Sequence, residues 1–408
     1  MLRRVWLWSI VGVLGLTGRQ ARAYEQLITA YDAKSVGMGL TGTAWQNNSA
    51  APYFNAANLG AIKRFDAVLA VGSNVSRVKS PYLGMDQGQL SILSGRSKPI
   101  ISPLLMAGVG FRPHRLLAVG LAGGVTQVSG MRYEGVPASL TEPRIAGTAA
   151  GSTVGNATAL GLMWDARATV ALNLAKWVSI GGGYRIGFSH QQAVFEIDGN
   201  KASKTYLNGQ RYVGGFAGIS LKPHRLVRIG LSATSPFNVA THGSSVNQAG
   251  RVAINNRTSL APMQANAGIA VQTSNHRLTV AADYRYLFYK EATKDLDAAN
   301  QDQKASSQDA MSGHLGAEFY LSPRVPIRAG FLMAKSRTPN SAAFAMRFPP
   351  GLIYGGTVGA GLRLPGVDLD LGVGYGGANS KLGAESAPVP GTYGIEAWLV
   401  QASANVRI

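Results

Sequence analysis

Five arginines stand at alternate positions in segments whose other residues are mostly apolar, and a guanidinium group can bind a carboxylate through two parallel hydrogen bonds. These arginines are Arg185, Arg228, Arg285, Arg328 and Arg363. Acidic residues with the same phase offer a second interpretation, because buried charges in proteins are usually paired. The acidic residues are Asp283, Glu318, Asp368 and Asp370. The sequence therefore predicts interior arginines that either bind the carboxylate of a ligand or neutralise the protein's own acidic residues.

No other group of residues has the spacing of a reactive site. His114, His224 and His276 fall in short turns, without a second histidine or a carboxylate at metal-ligand spacing. The chain has no cysteine, which excludes disulfides and thiolate metal sites. Nucleophile motifs, phosphate-binding loops and paired catalytic carboxylates are also missing, so we expect neither an enzyme nor a cofactor. The formal charge of +19 comes from dispersed basic residues, which does not indicate a nucleic-acid-binding surface.

Short polar turns divide the chain into pairs of alternating segments, and these segments must position the arginines. In the clearest segment, residues 178–190, Tyr184 and Ile186 share one phase and Arg185 has the other. A period of two indicates a β-strand with one apolar and one polar face. The six turns lie at residues 112–115, 174–176, 222–225, 273–276, 322–324 and 365–366.

Longer stretches rich in Gly, Ser, Asn and Pro separate one hairpin from the next, and this alternation of short turns and long loops is typical of a transmembrane β-barrel. Six hairpins, a first strand near 64–78 and a last strand near 393–408 give fourteen strands. A soluble sandwich is the alternative, but its core would not accept rows of charged residues opposite rows of Tyr and Phe. We expect an all-β fold, a 14-stranded antiparallel transmembrane β-barrel. The predicted loops lie near residues 79–101, 133–158, 190–210, 234–259, 289–311, 335–354 and 376–391.

The first 23 residues have the pattern of an export signal. Two arginines precede an apolar run from Val5 to Leu16, and Ala21 and Ala23 form a small-x-small cleavage site. The run is shorter than the roughly 20 residues that a spanning helix needs, which argues against the alternative of a membrane anchor. We therefore expect the outer membrane of a Gram-negative bacterium, with lipid and lipopolysaccharide around the wall. Because a closed wall requires no partner, a monomer is expected.

Residues 24–63 precede the first strand and do not alternate. Their apolar residues, which include Val36, Met38, Leu40 and Trp45, would gain nothing in a solvated tail. A fourteen-stranded barrel is wide enough to need filling. We therefore predict three parts: a signal peptide over 1–23, a hatch or plug inside the lumen over 24–63, and the barrel over 64–408. The alternative for 24–63 is a flexible periplasmic tail.

The third strand departs from its own alternation just after Gly123 and Gly124. Leu121 and Val125 share one phase, whereas Val128 has the other. A phase slip beside paired glycines indicates a bulge or kink, and a kink could open the wall sideways. The alternative is that the glycine pair packs against the hatch.

An apolar cluster in the predicted loop 335–354 is the second place that could bind a hydrophobic ligand. It contains Phe344, Met346, Phe348, Leu352 and Ile353, with no strand to explain them. An exposed apolar cluster of this kind predicts a ligand-capture groove. The alternative is a small core of the loop itself.

The segment before the barrel resembles the hatch of the FadL/TodX family, the outer-membrane transporters of long-chain fatty acids and aromatic hydrocarbons. The similar residues are 33–39 (AKSVGMG), 47–51 (NNSAA) and 53–59 (YFNAANL), and the hairpins at 262–286 and 315–331 also resemble family hairpins. The resemblance extends over most of the mature chain, but only the hatch motif is specific. Asn55, Ala56 and Ala57 match the family's Asn-Pro-Ala motif, with Ala56 in place of proline. Asn55 can still cap a local turn through its side chain.

The resemblance implies passive transport of hydrophobic compounds. A ligand would bind a groove in the loops, move to a pocket beside the hatch, and leave sideways through a kinked strand, here the one with Gly123 and Gly124. It also implies that the mature N-terminus, with Tyr24, Leu27 and Ile28, reaches into the inner pocket as an apolar stopper. The alternatives are a general diffusion porin and an outer-membrane scaffold or adhesion protein.

Overall fold

The computed structural model describes residues 31–86, 89–137, 154–197, 200–247, 252–296, 304–343 and 348–408. Seventeen strands within these ranges form a single antiparallel sheet. The predicted signal peptide and residues 24–30 lie outside the described residues. The strands are β1 (Phe65–Asp86), β2 (Gln89–Arg96), β3 (Ile100–His114), β4 (Leu117–Pro137), β5 (Val154–Ala175), β6 (Val178–Ile197), β7 (Asn200–His224), β8 (Val227–Thr234), β9 (Phe237–Asn247), β10 (Val252–Ala261), β11 (Met263–Gln272), β12 (Leu278–Phe288), β13 (Ala310–Ser322), β14 (Val325–Lys335), β15 (Leu352–Leu364), β16 (Val367–Leu382) and β17 (Gly391–Arg407).

Three positions in the wall are each filled by two consecutive strands. β2 and β3 share one position, β8 and β9 share the next such position, and β10 and β11 share the third. The seventeen strands therefore occupy fourteen positions around the barrel wall. We call each of these positions a stave. The sheet closes where β1 pairs with β17, from Asp66 opposite Arg407 to Lys79 opposite Gly394. The predicted 14-stranded antiparallel barrel is confirmed.

The outer face of the barrel is apolar and the inner face carries the charges. On β6, Tyr184 is 71% exposed and Ile186 is also exposed, whereas Arg185 between them is 4% exposed. The same alternation holds on β15, where Val358 is exposed and Thr357 is buried. An apolar exterior around a polar interior is the arrangement of a wall that faces lipid. Among the residues that the structure describes, no helix is long and apolar enough to cross a bilayer.

All six predicted turns connect consecutive strands, but several predicted loops are wrong in extent. β1 and β2 continue through most of 79–101, β6 and β7 fill most of 190–210, and β9 and β10 occupy much of 234–259. These extensions pair as regular hairpins. Once a strand leaves the bilayer, both of its faces can meet water, so the period-two pattern that identifies strands in the sequence disappears.

Residues 31–62 lie within the ring of strands. Their short helix α1 (Ala33–Gly37) contacts β14 to β17, and a 3₁₀ helix (Ala56–Ala61) contacts β4 to β7 on another part of the wall. Most of these residues are buried. These contacts and this burial place residues 31–62 against the wall and away from solvent. Further short helices among the described residues include 3₁₀ helices at Ala51–Tyr53 and Asn340–Ala342 and helix α2 (Tyr289–Ala292).

Candidate functional site

Residues 31–62, which we call the interior segment, are fixed to the wall by a buried carboxylate at the turn that contains Gly42 and Thr43. Asp283 on β12 accepts hydrogen bonds from the backbone N–H groups of Gly42 (2.7 Å) and Thr43 (2.9 Å). Beside it, the His314 ring lies 2.8 Å from the backbone oxygen of Gly39. Thr357 on β15 accepts from the Gly39 N–H at 3.0 Å. A turn that presents several N–H groups needs such acceptors when it is buried away from water.

Asn55 forms a second anchor. Its Oδ1 accepts from the Ala57 N–H (3.1 Å) and so caps the 3₁₀ helix that begins at Ala56, while its Nδ2 donates to the backbone oxygen of Ile219 on β7 (2.9 Å). A Cβ at Gly218 would lie 2.1 Å from Asn55 Oδ1, so the wall must have glycine there. The local turn therefore forms with Ala56 where the resembling family has proline.

Two of the predicted interior arginines take part in a network of acidic and basic side chains. Arg328 lies 2.7 Å from Glu318 Oε2 and 2.8 Å from Asp370 Oδ1, and Arg363 lies 2.8 Å from the same Asp370 oxygen. Lys34 of the interior segment is 3.6 Å from Glu318, and burial lowers the pKa of Lys34 although Glu318 opposes the shift. This geometry supports the pairing interpretation of Arg328 and Arg363 over ligand binding.

Arg185 belongs to another buried group, which the sequence did not reveal in full. Its Nη1 lies 3.7 Å from Asp165, and Asp165 also pairs with Arg167 at 3.2 Å. Arg167 then donates to the backbone oxygen of Pro52 at 2.7 Å, and its guanidinium lies 4.4 Å from the centre of the Tyr53 ring. The sequence analysis does not single out Arg167 and Asp165. Both side chains point into the barrel from β5, and following the apolar and polar alternation along this strand would have identified them.

Arg228 has a different environment. It lines a cavity of about 180 Å³ between the interior segment and β8, where the charged residues around it are Lys34, Arg225, Arg363, Arg407 and one carboxylate, Glu318. Within the described residues, no carboxylate is at ion-pair distance from Arg228. Arg228 is therefore the predicted arginine whose geometry leaves it available to an anion.

Apolar side chains fill the part of the lumen nearest the long loops. Phe348 and Ile353 from the predicted loop cluster are buried there with Tyr133 and Met131 of β4. Phe344 and Met346 lie outside the described residues, as do Tyr24, Leu27 and Ile28. Of the three described members of the predicted cluster, Phe348 and Ile353 are packed into the lumen and Leu352 is exposed on the outer face, so these three do not form a single exposed groove. We refer to this group as the upper cluster; its members are Val78, Met131, Tyr133, Ala159, Leu287, Tyr289, Ala310, Ala334, Phe348, Ile353, Ala378 and Ile395.

A second apolar group, the middle cluster, lies beside the interior segment. Val36 and Leu40 from that segment pack against wall residues of β3, β4, β14 and β17. Leu332 and Leu399 of the middle cluster line a small cavity with Phe348 and Ile353 of the upper cluster. The two clusters are therefore continuous along the lumen. The middle cluster consists of Val36, Leu40, Leu104, Val128, Leu332 and Leu399.

The middle cluster ends at an interruption of the wall, the β3–β4 gap. The ladder between β3 and β4 stops at Met106 opposite Gly124, and beyond it a single bridge joins Lys98 to Arg132. β4 has a bulge at Thr126, where its register against β5 shifts. The phase slip predicted beside Gly123 and Gly124 is therefore present two residues further on. The residues left outside the β3–β4 ladder are 99–105 and 125–131.

The atoms nearest to a Cβ added at either glycine belong to the wall, which does not favour the alternative that the pair packs against the interior segment. A Cβ added at Gly124 would meet Leu105 and Met106 of β3, and a Cβ at Gly123 would meet only the backbone oxygen of Asp165. Gly124 therefore permits the close approach of β3 at the last rung before the gap.

Solved structures with the same fold include a FadL homologue and two toluene transporters. A FadL homologue from Pseudomonas aeruginosa matches with a TM-score of 0.70 and 14% identity, over 93% of this chain and 99% of that chain. The toluene transporter TodX from P. putida matches at 0.64 with 12% identity, over 93% and 99%. The toluene transporter TbuX from Ralstonia pickettii matches at 0.64 with 15% identity, over 94% and 99%. No family model and no curated protein sequence matches the chain. The shared property is the fold, which is the one that the resemblance predicted.

Proposed function

We propose that this chain, which has the fold of FadL homologues and toluene transporters, is a passive outer-membrane channel for hydrophobic compounds in a Gram-negative bacterium. The apolar exterior of the barrel and its buried polar interior support insertion into a bilayer. The likeness to a FadL homologue and to two toluene transporters, over nearly the whole length of each, supports a hydrophobic cargo.

The continuous apolar lining of the lumen is the observation that carries this proposal. The upper cluster joins the middle cluster, and the middle cluster reaches Leu104 and Val128 at the β3–β4 gap. A hydrophobic solute gains about 25 cal/mol for each Å² of apolar surface that it removes from water, whereas a polar solute gains nothing from such walls. Residues 31–62 obstruct the straight route to the periplasm, so the apolar route ends sideways, at the gap.

The residues singled out from the sequence take distinct roles in this proposal. Phe348, with Phe344 near it in the chain, belongs to the entrance. Asn55, Ala56 and Ala57 hold residues 31–62 in place as a hatch, which the residues from 24 onwards complete. Tyr24, Leu27 and Ile28 act as the apolar stopper of the inner pocket. Gly123 and Gly124 precede the bulge that separates β4 from β3 and so provide the lateral exit.

The arginines mainly balance charge instead of selecting the cargo. Arg185, Arg328 and Arg363 each have a carboxylate near them. Selection therefore rests on apolar contact, which suits aromatic hydrocarbons and the chain of a long-chain fatty acid alike. Arg228 remains available to a carboxylate at the far side of the hatch.

Uptake by intact cells tests the proposal. Cells that lack the protein, cells that produce it, and cells that produce Val128→Asp are given labelled toluene and a labelled long-chain fatty acid. We expect uptake of at least one compound to require the protein and to fall several-fold when a charge is placed at the β3–β4 gap. Val128→Leu is the matched control and should retain uptake. Equal uptake with and without the protein would refute the proposal, and ion conductance that is unaffected by deleting residues 31–62 would favour a general diffusion porin.

A further inference from the structure

The wall has a second interruption, on the side of the barrel formed by β7. The ladder between β7 and β8 ends at Phe216 opposite Thr234, and the ladder between β7 and β9 resumes at Asn208 opposite His242. The two runs keep one register, so equal lengths of the two staves face each other between them. We call this interruption the β7–β9 gap. The residues outside the two ladders are 209–215 of β7 and 235–241 of the facing stave, although Gly215 still bonds to Ser235 and Gly209 packs closely against Val239.

In three neighbouring staves, the alternate residues that point inward change from one set to the other at this level. On β7, Phe216 and Leu207 both point inward although they are an odd number of residues apart, because Arg211 forms a bulge against β6. On the next stave, Thr234 and Val239 are both buried. A shift of one residue moves every following side chain to the opposite face of a sheet. The third stave behaves in the same way, since Ala261 of β10 and Asn266 of β11 are both buried. The set of residues that faces the lumen therefore shifts by one residue at the same level in three adjacent staves.

Two prolines interrupt the pairing between the stave of β8 and β9 and the stave of β10 and β11. β9 pairs with β10 up to Phe237 opposite Ala261, and β8 pairs with β11 from Thr234 opposite Gln264. The common register places Pro236 opposite Pro262, and neither residue has an N–H to donate. Proline inside a sheet is otherwise found at edges and bulges, so these strands have the composition of an edge although they lie within the wall.

Two side chains bridge the lower end of the β7–β9 gap: Ser235 Oγ accepts from the Gly215 N–H at 2.8 Å, and Arg185 reaches across from inside. Arg185 of β6 reaches past β7 and donates from Nη2 to the backbone oxygen of Ser235 at 2.6 Å. This path needs glycine at position 214, because a Cβ there would lie 3.0 Å from Arg185 Nε and from Ser235 Oγ. The last backbone contact below the gap runs from Ser235 N–H to the Gly215 oxygen at 2.8 Å.

Outside the barrel, an apolar groove of about 790 Å³ extends to Ala217 and Ala233, two residues from this end of the gap. Its floor consists of small residues on adjacent strands, including Gly182, Ala217 and Ala233, and its sides are formed by larger residues such as Leu172 and Tyr284. Leu172 and Tyr284 are exposed and lie on the outer face. On the lumen side, the gap is lined by the buried apolar group of Met163, Val239 and Ala261. Apolar surface therefore borders the gap on both sides.

We propose that the β7–β9 gap is a second lateral opening, through which hydrophobic solutes pass from the lumen into the exterior groove. The proposal rests on the function proposed above and adds an exit on a different part of the wall from the β3–β4 gap. The occupant of the groove is the departing solute, because the apolar groove lies next to the gap on the outer face. The contact between Arg185 and Ser235 holds the two edges together between passages, and its breakage widens the opening.

Bulky substitutions at the rim and in the groove test this proposal, with uptake of labelled toluene and a labelled long-chain fatty acid by intact cells as the readout. Val213→Trp fills the outer rim of the gap, and Val358→Trp is its control, since Val213 and Val358 are both outward-facing, at 67% and 60% exposure. Ala233→Trp fills the groove, and Ala360→Trp places the same residue on the outer face of β15, away from the groove. Heat-modifiable electrophoretic mobility of each variant verifies that the barrel has formed.

We expect both gap variants to reduce uptake several-fold and both controls to leave it unchanged. In the Val128→Asp background, which obstructs the β3–β4 gap, the remaining uptake should fall further when Val213→Trp is added. The proposal is overturned if uptake is insensitive to Val213→Trp and Ala233→Trp in both backgrounds, as it would be if the groove held only a bilayer lipid or a second copy of the chain. It is also overturned if Val128→Asp alone abolishes uptake. Absence of uptake by the unaltered protein would instead refute the proposed function itself.

Discussion

Arg328 Nη1 lies 2.8 Å from Asp370 Oδ1, and both side chains are buried within the barrel. The same guanidinium reaches Glu318 at 2.7 Å, so one arginine neutralises acidic residues from two other strands. Such a pair is weak evidence for a gain in stability, but removal of one partner leaves a buried charge without compensation.

Arg328→Met is therefore expected to destabilise the barrel by about 3–5 kcal/mol, the usual cost of breaking a buried ion pair. Urea unfolding of the protein in detergent measures the difference. Arg363→Met serves as the comparison, since its side chain is more exposed and should cost less. Equal stability of Arg328→Met and the unaltered protein would contradict the network described here.

Asp283→Ala is expected to loosen the first turn of the hatch. The substitution removes the acceptor of the Gly42 and Thr43 N–H groups, and hydrogen bonds to a charged group contribute about 1.5–3 kcal/mol each. Amide hydrogen exchange at these two residues should accelerate. Asp368→Ala removes a carboxylate that pairs with Arg407 on the wall, and it should leave exchange at the hatch unchanged.

Gly218→Ala is expected to displace the hatch at its second anchor. The added methyl group would lie 2.1 Å from Asn55 Oδ1, and overpacking of this kind costs about 1–3 kcal/mol. Asn55 would then lose its bond to Ile219, and ion conductance through the protein in planar bilayers should rise. Gly313→Ala is the control, because a Cβ there meets nothing within 4 Å. The same low conductance in both variants would show that the hatch does not depend on Asn55.

Phe348→Ala is expected to weaken binding of hydrophobic compounds in the upper cluster. The large side chain is almost fully buried among apolar residues, so its removal takes away contact area for a ligand in the upper lumen. Titration of the purified protein with a fluorescent fatty acid measures the affinity. Phe319→Ala removes the same side chain from the outer face of β13 and should not change it. Affinity that falls equally in both variants would place the site elsewhere.

The membrane-spanning part of this fold can be predicted from the sequence because lipid imposes a simple rule. Every residue of the wall that faces lipid must be apolar, so Tyr184 and Ile186 alternate with Arg185 and reveal the strand. Short turns such as that at Pro365 and Gly366 then fix the number of hairpins. The hatch motif around Asn55 likewise predicted a capped turn, which is present.

The predictions weaken where the rule no longer applies. The sequence predicts a loop over residues 234–259, because Pro236 and a run of polar residues interrupt the alternation. Most of these residues form β9 and β10 instead. A change of face within a stave removes the constant phase on which the alternation depends. Pairing partners are also invisible to such reasoning, since Asp165 and Arg185 meet only when β5 and β6 are side by side.

The seam between β1 and β17 has a consequence for assembly. Residues 31–62 come before β1 in the chain and lie inside the completed ring, and β17 is the stave that joins β16 back to β1. We expect enclosure to be the last step, with residues 31–62 already gathered among the incomplete staves. The barrel is thus expected to be built around its own contents, and a fault in the leading segment should hinder biogenesis as well as traffic.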